Sequence, residues 1–266
     1  MKKKTIIIIV CVLLFLLVQN LFIGYRFSWG IFKELGDIRM AKIPGNAEQY
    51  NMKTVESLGD NPLKGKKVLF LGSSVTYGSA SIREGIPEYF KARFGCDITK
   101  EAVSGTTLVD NGSSSYVQRL LNKVDSNEKY DLVIVQLSTN DASKKLPLGD
   151  ISTSQDRDSF DTSTITGAIE FIIAYAQETW NCPVAFYTNA KYDSDEYETM
   201  YQRLIQLQKK WEIGVIDLWS STEFNNITAE ERSLYMNDKI HPTKAGYKLW
   251  WCPEIEKQVL SWLETK

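Results

Sequence analysis

Residues 68–78 read VLFLGSSVTYG, an apolar run that stops at a glycine followed by two serines. Such a run is typical of a buried strand, and the Gly-Ser-Ser step after it is typical of a tight turn. In α/β proteins, ligands bind at the carboxyl ends of strands of this kind. Ser73 and Ser74 are therefore candidate nucleophiles, and a plain polar turn is the alternative that this stretch leaves open.

Strands and helices are predicted to alternate from Lys66 to the end of the chain. The strands are expected at residues 67–72, 97–103, 131–137, 184–188 and 214–218, and the helices at 86–94, 116–124, 164–180, 196–211, 243–251 and 254–263. Pro253 is expected to separate the last two helices, because proline starts helices more readily than it sits inside them. Short apolar strands separated by helices predict an α/β domain, a three-layer α/β/α sandwich around a five-stranded parallel sheet.

The first 25 residues predict a membrane anchor. Lys2, Lys3 and Lys4 precede thirteen unbroken apolar residues, Ile6 to Val18, and apolar residues resume at 21–23. This span approaches the length that crosses a bilayer, and no small-residue cleavage site follows it. An uncleaved single-pass anchor is therefore favoured over secretion after signal cleavage, with the lysines cytoplasmic and the rest of the chain outside.

The remaining chain is predicted to form a stalk or covering segment, residues 26–65, and a domain, residues 66–266. Glycines and prolines break the first of these, although a short helix is expected near residues 53–58. The formal net charge of −2 gives no basic field that would recruit nucleic acid. Cys96, Cys182 and Cys252 match no zinc pattern, so buried free thiols are expected in preference to a disulfide. No metal or cofactor is expected, and the protein is expected to be a monomer.

Three further polar motifs follow predicted strands or lie beyond them. The second strand ends in VSGTT with Gly105, the third ends in LSTND with Asn140, and NDKIHP beyond the fifth contains Asp238 and His241, the only histidine. Each has a structural alternative, since glycine, asparagine and aspartate are common turn residues. Together they supply what a serine nucleophile needs: a base, a carboxylate that orients the base, and donors for an oxyanion.

In the order of these motifs the sequence resembles the SGNH hydrolases, also called GDSL esterases and lipases. Their first block, Gly-Asp-Ser-Leu, corresponds to Gly72–Val75, and their second block contributes a glycine that corresponds to Gly105. Their third block, Gly-x-Asn-Asp, corresponds to Ser138–Asp141, and their fourth, Asp-x-x-His, to Asp238–His241. The resemblance runs from about residue 66 to the C-terminus and implies the flavodoxin-like fold of that family.

The resemblance also implies a role for each residue. Ser74 corresponds to the nucleophile, His241 to the base and Asp238 to the carboxylate that orients it. The oxyanion hole would consist of the backbone N–H groups of Ser74 and Gly105 and the side chain of Asn140.

Two positions depart from the family pattern, and one alternative fold is disfavoured. Ser73 replaces the aspartate of the first block, which changes the polarity beside the nucleophile. Ser138 replaces a glycine and is expected to alter the approach of the substrate or the loop that follows. The α/β-hydrolase elbow Gly-x-Ser-x-Gly is not met, because Thr76 occupies its last position.

The leading interpretation is a membrane-tethered, extracytoplasmic serine esterase that removes small acyl groups, such as acetyl groups on cell-surface glycans. Transfer of the acyl group to a sugar hydroxyl, and a non-catalytic binding protein on the same fold, are the alternatives. Residues 142–163 form a long polar connection that is either a lid or substrate-binding loop or a disordered surface loop.

Overall fold

The computed structural model describes the backbone of residues 2–27 and 31–266 and the side chains of residues 8–22 and 34–266. The chain divides into two compact units, Met1–Pro44 and Gly45–Lys266. The second unit contains five strands, β1 (Lys67–Gly72), β2 (Asp97–Ala102), β3 (Leu132–Gln136), β4 (Val184–Tyr187) and β5 (Gly214–Ile216). They form a parallel sheet with the strand order β2-β1-β3-β4-β5. The predicted five-stranded parallel sheet is thus confirmed.

Helices occupy the connections between the strands and the C-terminal region. They are α3 (Ser74–Tyr77), α4 (Ile86–Phe94), α5 (Tyr116–Lys123), α6 (Thr139–Ser143), α7 (Ile165–Trp180), α8 (Asp195–Trp211), α9 (Thr222–Asn225), α10 (Ala229–Tyr235) and α11 (Cys252–Leu263). The long helices agree with the predicted ones to within two residues at each end, apart from the C-terminal pair. The short helices α3, α6, α9 and α10 were not predicted.

Two hydrophobic cores cover the two faces of the sheet. Along β1, Leu69 and Leu71 point into one core together with side chains of α5, α7 and α8. Val68 and Phe70 point into the other core together with side chains of α4 and α11. This alternation follows from the strand geometry, in which successive side chains face opposite sides. The three-layer α/β/α arrangement is therefore the one that the sequence predicts.

The first unit contains helix α1 (Lys2–Phe27) and helix α2 (Ile31–Ala41). Large apolar side chains of α1 between Ile8 and Phe22 are exposed. Within the described residues, no helix has both the length and the apolar character needed to cross a membrane. The predicted anchor, residues 1–25, and the predicted stalk lie partly outside the described residues, and the described part does not support a transmembrane helix.

The beginning of the second unit is joined to the C-terminal half by a buried polar cluster. Lys244 Nζ contacts Asn51 Oδ1 at 2.6 Å and Glu84 Oε1 at 2.9 Å, and Glu84 also accepts the N–H of Met52. The helix predicted near residues 53–58 was wrong, since only the short 3-10 turn Met52–Thr54 forms there. The N–H groups downstream bond elsewhere; that of Leu58, for example, donates to a carbonyl at the end of α4.

The C-terminal helical segment differs from its prediction at Pro253. A π-helical turn, Gly246–Trp251, leads directly into α11, so that proline does not separate two helices. Because proline lacks an N–H and crowds the carbonyl four residues earlier, the wider π-turn accommodates it inside a continuous helix. The cysteines of the second unit, Cys96, Cys182 and Cys252, are buried free thiols, as expected.

Candidate active site

Ser74 lies at the carboxyl end of β1, where the chain turns into α3. Gly72 is required there because a Cβ atom would lie 1.7 Å from Thr76 Oγ1. Ser73 precedes the first residue of α3, and its side chain is fully buried with Oγ 3.3 Å from Gln136 Oε1. Ser74 is 8% exposed, so of the two candidate serines it is the one that reaches the surface of the turn.

A tight loop presents Asp238 and His241 together. An antiparallel bridge between Met236 and Pro242 closes the loop, and the N–H of Asn237 donates to the carbonyl of His241 at 2.9 Å. Three residues apart, the two side chains meet without any longer-range constraint. The loop places His241 Nε2 2.7 Å from the Oγ of Ser74, although the two residues are 167 positions apart in the chain.

Asp238 holds the imidazole in one orientation. Its two carboxylate oxygens lie 3.0 and 2.9 Å from His241 Nδ1, and Oδ1 also accepts the N–H groups of Ile240 and His241. Burial alone would raise the pKa of the Asp238 carboxyl, but these hydrogen bonds together hold its pKa well below the usual range. The carboxylate therefore stays ionised. We assign the imidazole proton to Nδ1, so that Nε2 is free to accept the hydrogen bond from Ser74.

Gly105 lies in an exposed turn after β2. Its φ is +80°, and a Cβ atom would meet nothing within 4 Å, so the left-handed backbone conformation rather than crowding favours glycine here. Thr106 closes the turn, because its Oγ1 donates to the carbonyl of Val103 at 2.7 Å. In the described part of the chain no acceptor lies against the N–H of Gly105 or the N–H of Ser74.

Asn140 belongs to α6 and reaches toward the same turn. Its Nδ2 donates to the carbonyl oxygen of Thr106 at 2.9 Å, which uses one of the two N–H bonds of the amide. The second N–H bond is left for another acceptor. Asn140 is thus brought beside the turn that contains Gly105.

The neighbours of Asn140 face the protein interior. Asp141 is fully buried and accepts the N–H groups of Leu108 and Val109 at 2.9 and 3.0 Å, so it supports the segment that follows the turn. Burial raises the pKa of the Asp141 carboxyl, although hydrogen bonds from Ser138, Val109 and Leu108 oppose the rise. Ser138 is also fully buried and caps α6, accepting the N–H of Asn140. The side chain of Ser138 faces the interior, and the effect expected for it on the substrate's approach or on the loop that follows stays a prediction.

Gln136 supports the serine turn, residues 72–76, and was not among the predicted site residues. It is the last residue of β3 and is 1% exposed, and its Oε1 accepts the N–H groups of Ser73 and Thr76 at 2.9 and 3.2 Å and the hydroxyl of Thr76 at 3.0 Å. The two backbone donors fix which side of the amide is the oxygen. A single polar residue closing the apolar strand LVIVQ is the signal that could have identified it.

Residues 142–163 are held against the helices of one face. Lys210 of α8 donates to the carbonyls of Ser152 and Ser154 at 2.7 and 2.6 Å, and Glu170 of α7 accepts the N–H of Ser152. Phe160 is buried in the core of that face. These contacts describe a surface segment anchored to α7 and α8, which does not fit the disordered surface loop that was one of the two alternatives. A role as a lid or substrate-binding loop stays a prediction.

Two cavities lie away from Ser74. A cavity of about 420 Å³ between Trp211 and Trp262 lies at the amino ends of β4 and β5, and one of about 160 Å³ lies between α6 and α8. Ser74 lines neither. Among the described residues, no group of three or more histidine, cysteine or acidic side chains is placed to hold a metal ion.

Comparisons with known proteins identify related sequences and folds. The sequence model of the GDSL-like Lipase/Acylhydrolase family matches residues 70–249. No curated protein matches the chain. A solved structure from Lactobacillus plantarum has a TM-score of 0.59 at 18% identity and covers 76% of this chain and 98% of its own.

Two further structures show the same fold. A protein of Bacteroides ovatus described as a GDSL-like lipase has a TM-score of 0.52 at 16% identity, over 76% of this chain and 99% of its own. An acetyl xylan esterase has a TM-score of 0.51 at 17% identity, over 73% of this chain and 99% of its own. At such identities the likeness establishes the fold.

Proposed function

The chain belongs to the GDSL-like lipase and acylhydrolase family, and we propose that it is a serine esterase that removes short acyl groups through Ser74, His241 and Asp238. The observation that carries this proposal is the chain of hydrogen bonds from Ser74 Oγ to His241 Nε2, 2.7 Å, and from His241 Nδ1 to Asp238 Oδ2, 2.9 Å. These lengths are those of a nucleophile bonded to its base and a base bonded to the group that orients it.

The reaction proceeds in two half-reactions. Ser74 Oγ attacks the acyl carbonyl while His241 Nε2 takes its proton, and Asp238 stabilises the imidazolium that forms. The negative charge on the former carbonyl oxygen is met by the N–H groups of Ser74 and Gly105 and by Asn140 Nδ2. His241 then protonates the leaving alcohol as the C–O bond breaks. In the second half-reaction a water molecule, deprotonated by His241, attacks the acyl carbon. The bond from that carbon to Ser74 Oγ then breaks, His241 returns the proton to Oγ, and the acid is released.

One comparison supports a short acyl group on a carbohydrate. One protein of the same fold is an acetyl xylan esterase, which acts on acetyl esters of a polysaccharide. We therefore propose acetylated glycans as the substrate class.

The test is hydrolysis of p-nitrophenyl acetate by the full-length protein, compared with Ser74→Ala and with Ser73→Ala as the adjacent control. Ser74→Ala should abolish turnover, and Ser73→Ala should retain most of it because its backbone bond to Gln136 remains. Equal rates for wild type and Ser74→Ala would remove Ser74 as nucleophile. Inactivity of the folded wild type would favour transfer to a sugar hydroxyl or a binding function. Rates on butyrate and octanoate esters then measure the chain-length preference.

A membrane tether and a monomeric state are proposed from the sequence alone. The tether is supported by the three lysines that precede the apolar run of residues 6–18. Partition of the full-length protein between membrane and soluble fractions tests the tether, and sedimentation of the detergent-free second unit tests the monomer. Recovery in the soluble fraction would contradict the tether.

A further inference from the structure

A buried arginine lies beneath the proposed site and has every N–H donor bonded. Arg119 of α5 is 3% exposed. Its Nε donates to the carbonyl of Ser114 at 2.9 Å, and one terminal nitrogen donates to the carbonyl and the carboxylate of Glu101 at 2.9 and 3.0 Å. Its other terminal nitrogen donates to the carbonyl of Gly72 at 2.8 Å and to Thr106 Oγ1 at 3.2 Å.

The last two bonds join two different parts of the site. Gly72 ends β1 and immediately precedes the serine turn, and Thr106 closes the turn that contains Gly105. The carbonyl of Gly72 also accepts the N–H of Val103 at 3.3 Å, and the carbonyl of Val103 accepts the Thr106 hydroxyl. One guanidinium nitrogen therefore completes a closed ring of hydrogen bonds between the end of β1 and the turn after β2.

Thr106 extends this ring to the third oxyanion donor. Its carbonyl oxygen accepts Asn140 Nδ2 at 2.9 Å, so the rotation of the Asn140 amide depends on where Thr106 lies. The position of Thr106 depends in turn on Arg119. One buried side chain is therefore connected through hydrogen bonds to all three groups assigned to the oxyanion. These groups are the N–H groups of Ser74 and Gly105 and the amide of Asn140.

We propose that Arg119 is a positioning residue that sets the spacing of the oxyanion donors through Gly72 and Thr106. The inference rests on the proposed function, since it concerns the donors of that reaction. Arg119 makes no hydrogen bond to Ser74 and acts through Gly72 and Thr106.

The chemistry of the side chain explains why an arginine is needed. A planar guanidinium offers five donors in a fixed fork, and Arg119 uses them on five acceptors, whereas a lysine has three donors on a flexible stem. The charge is balanced by Glu101, 3.0 Å away, and the ring of Tyr116 lies 5.1 Å from the guanidinium carbon. A lysine at this position has too few donors for the five acceptors that Arg119 satisfies.

The first pair of variants acts on Thr106, which keeps the buried charge in place. Thr106→Val removes the hydroxyl at nearly constant volume and is expected to lower kcat about 10-fold or more with little change in KM, because misplaced oxyanion donors weaken only the transition state. Thr106→Ser keeps the hydroxyl and should restore kcat to within about threefold of wild type. Counting active sites with a fluorophosphonate label separates a lower rate from a lower active fraction.

The second pair acts on Arg119 itself. Arg119→Lys is expected to lower kcat about 10- to 100-fold. The matched control is Arg93→Lys, since Arg93 also pairs with a glutamate and a backbone carbonyl, Glu256 and Glu56, but on α4 away from these turns. A double variant of Arg119→Lys with Asn140→Ala should lose less activity than the product of the single losses, while Arg93→Lys with Asn140→Ala should multiply.

The outcomes separate the inference from the proposed function. Active wild type with kcat unchanged in Thr106→Val and Arg119→Lys would overturn the positioning role alone. A multiplicative double variant of Arg119 and Asn140 would also overturn it, because the two residues would then act independently. A wild type without Ser74-dependent esterase activity would overturn the proposed function and the role of Arg119 together.

Discussion

Replacement of Asn140 by alanine gives the sharpest test of the proposed oxyanion hole. The substitution removes one N–H donor aimed at the developing charge, a loss that costs about 100- to 1,000-fold in turnover, or about 3 to 4 kcal/mol. It also removes the 2.9 Å bond to the carbonyl of Thr106, which holds the turn of Gly105. Since both effects act on the transition state, kcat should fall about 100-fold or more while KM stays within about threefold.

The assay is p-nitrophenyl acetate hydrolysis with active sites counted by fluorophosphonate labelling. Asn61→Ala is a matched control, because Asn61 Nδ2 also donates to a backbone carbonyl, that of Phe94, at 3.1 Å. Asn61 precedes the amino end of β1, whereas Ser74 follows its carboxyl end. Asn140→Ala with kcat within threefold of wild type would refute the oxyanion assignment, provided that its melting temperature shows a folded protein.

Two further predictions concern charges that the fold holds in place. The pKa of the Asp238 carboxyl is lowered, so its stabilising contribution is present above the ordinary pKa of about 3.9 and is lost as the pH falls through the folded value. Asp238→Asn should therefore lower the melting temperature at pH 7, by a difference that shrinks below about pH 4; a difference that widens in acid would contradict this reasoning. Lys244→Met breaks the ion pair with Glu84. Because the Lys244 side chain is only 8% exposed, the substitution should lower the melting temperature by about 5 to 10 °C. Lys66→Met, whose pair is half exposed, should change it by no more than about 3 °C in the same calorimetric measurement, and equal shifts would sink the argument.

The sequence predicted the sheet chiefly because β1, β3 and β4 are largely apolar and buried. The sequence contains no such run in the edge strand β2, DITKEA, which is partly exposed. It placed the ends of the strands less well where side chains decide the end. The fifth strand was predicted to continue to Leu218 but ends at Ile216. There the carboxylate of Asp217 accepts the N–H groups of Trp219 and Ser220 at 2.9 Å and turns the chain away from its neighbour. Such side-chain bonds to the backbone compete with strand pairing and leave no periodic signal.

The candidate catalytic residues were predictable for a different reason. Asp238 and His241 lie three positions apart in a short loop, and Ser74 follows a recognisable strand. Each candidate residue therefore appears in a local motif. The residues that support them, Gln136 and Arg119, have no such motif. Long polar side chains are usually exposed, and the sequence pattern gives no reason to bury these two. Their burial depends on acceptors and donors that come from distant parts of the chain, which only the three-dimensional structure brings together.

Both departures from the family pattern concern this support. Ser73 donates to Gln136 and Ser138 lies 3.4 Å from the carbonyl of Thr106, and both serines are fully buried. A substrate therefore meets neither side chain, and the groups assigned to the reaction remain unchanged. The two serines belong instead to the interior hydrogen bonds that hold the serine turn and the Gly105 turn. We therefore expect substrate preference to depend on the exposed residues around those turns, and the buried polar residues to determine how accurately the proposed oxyanion donors are placed.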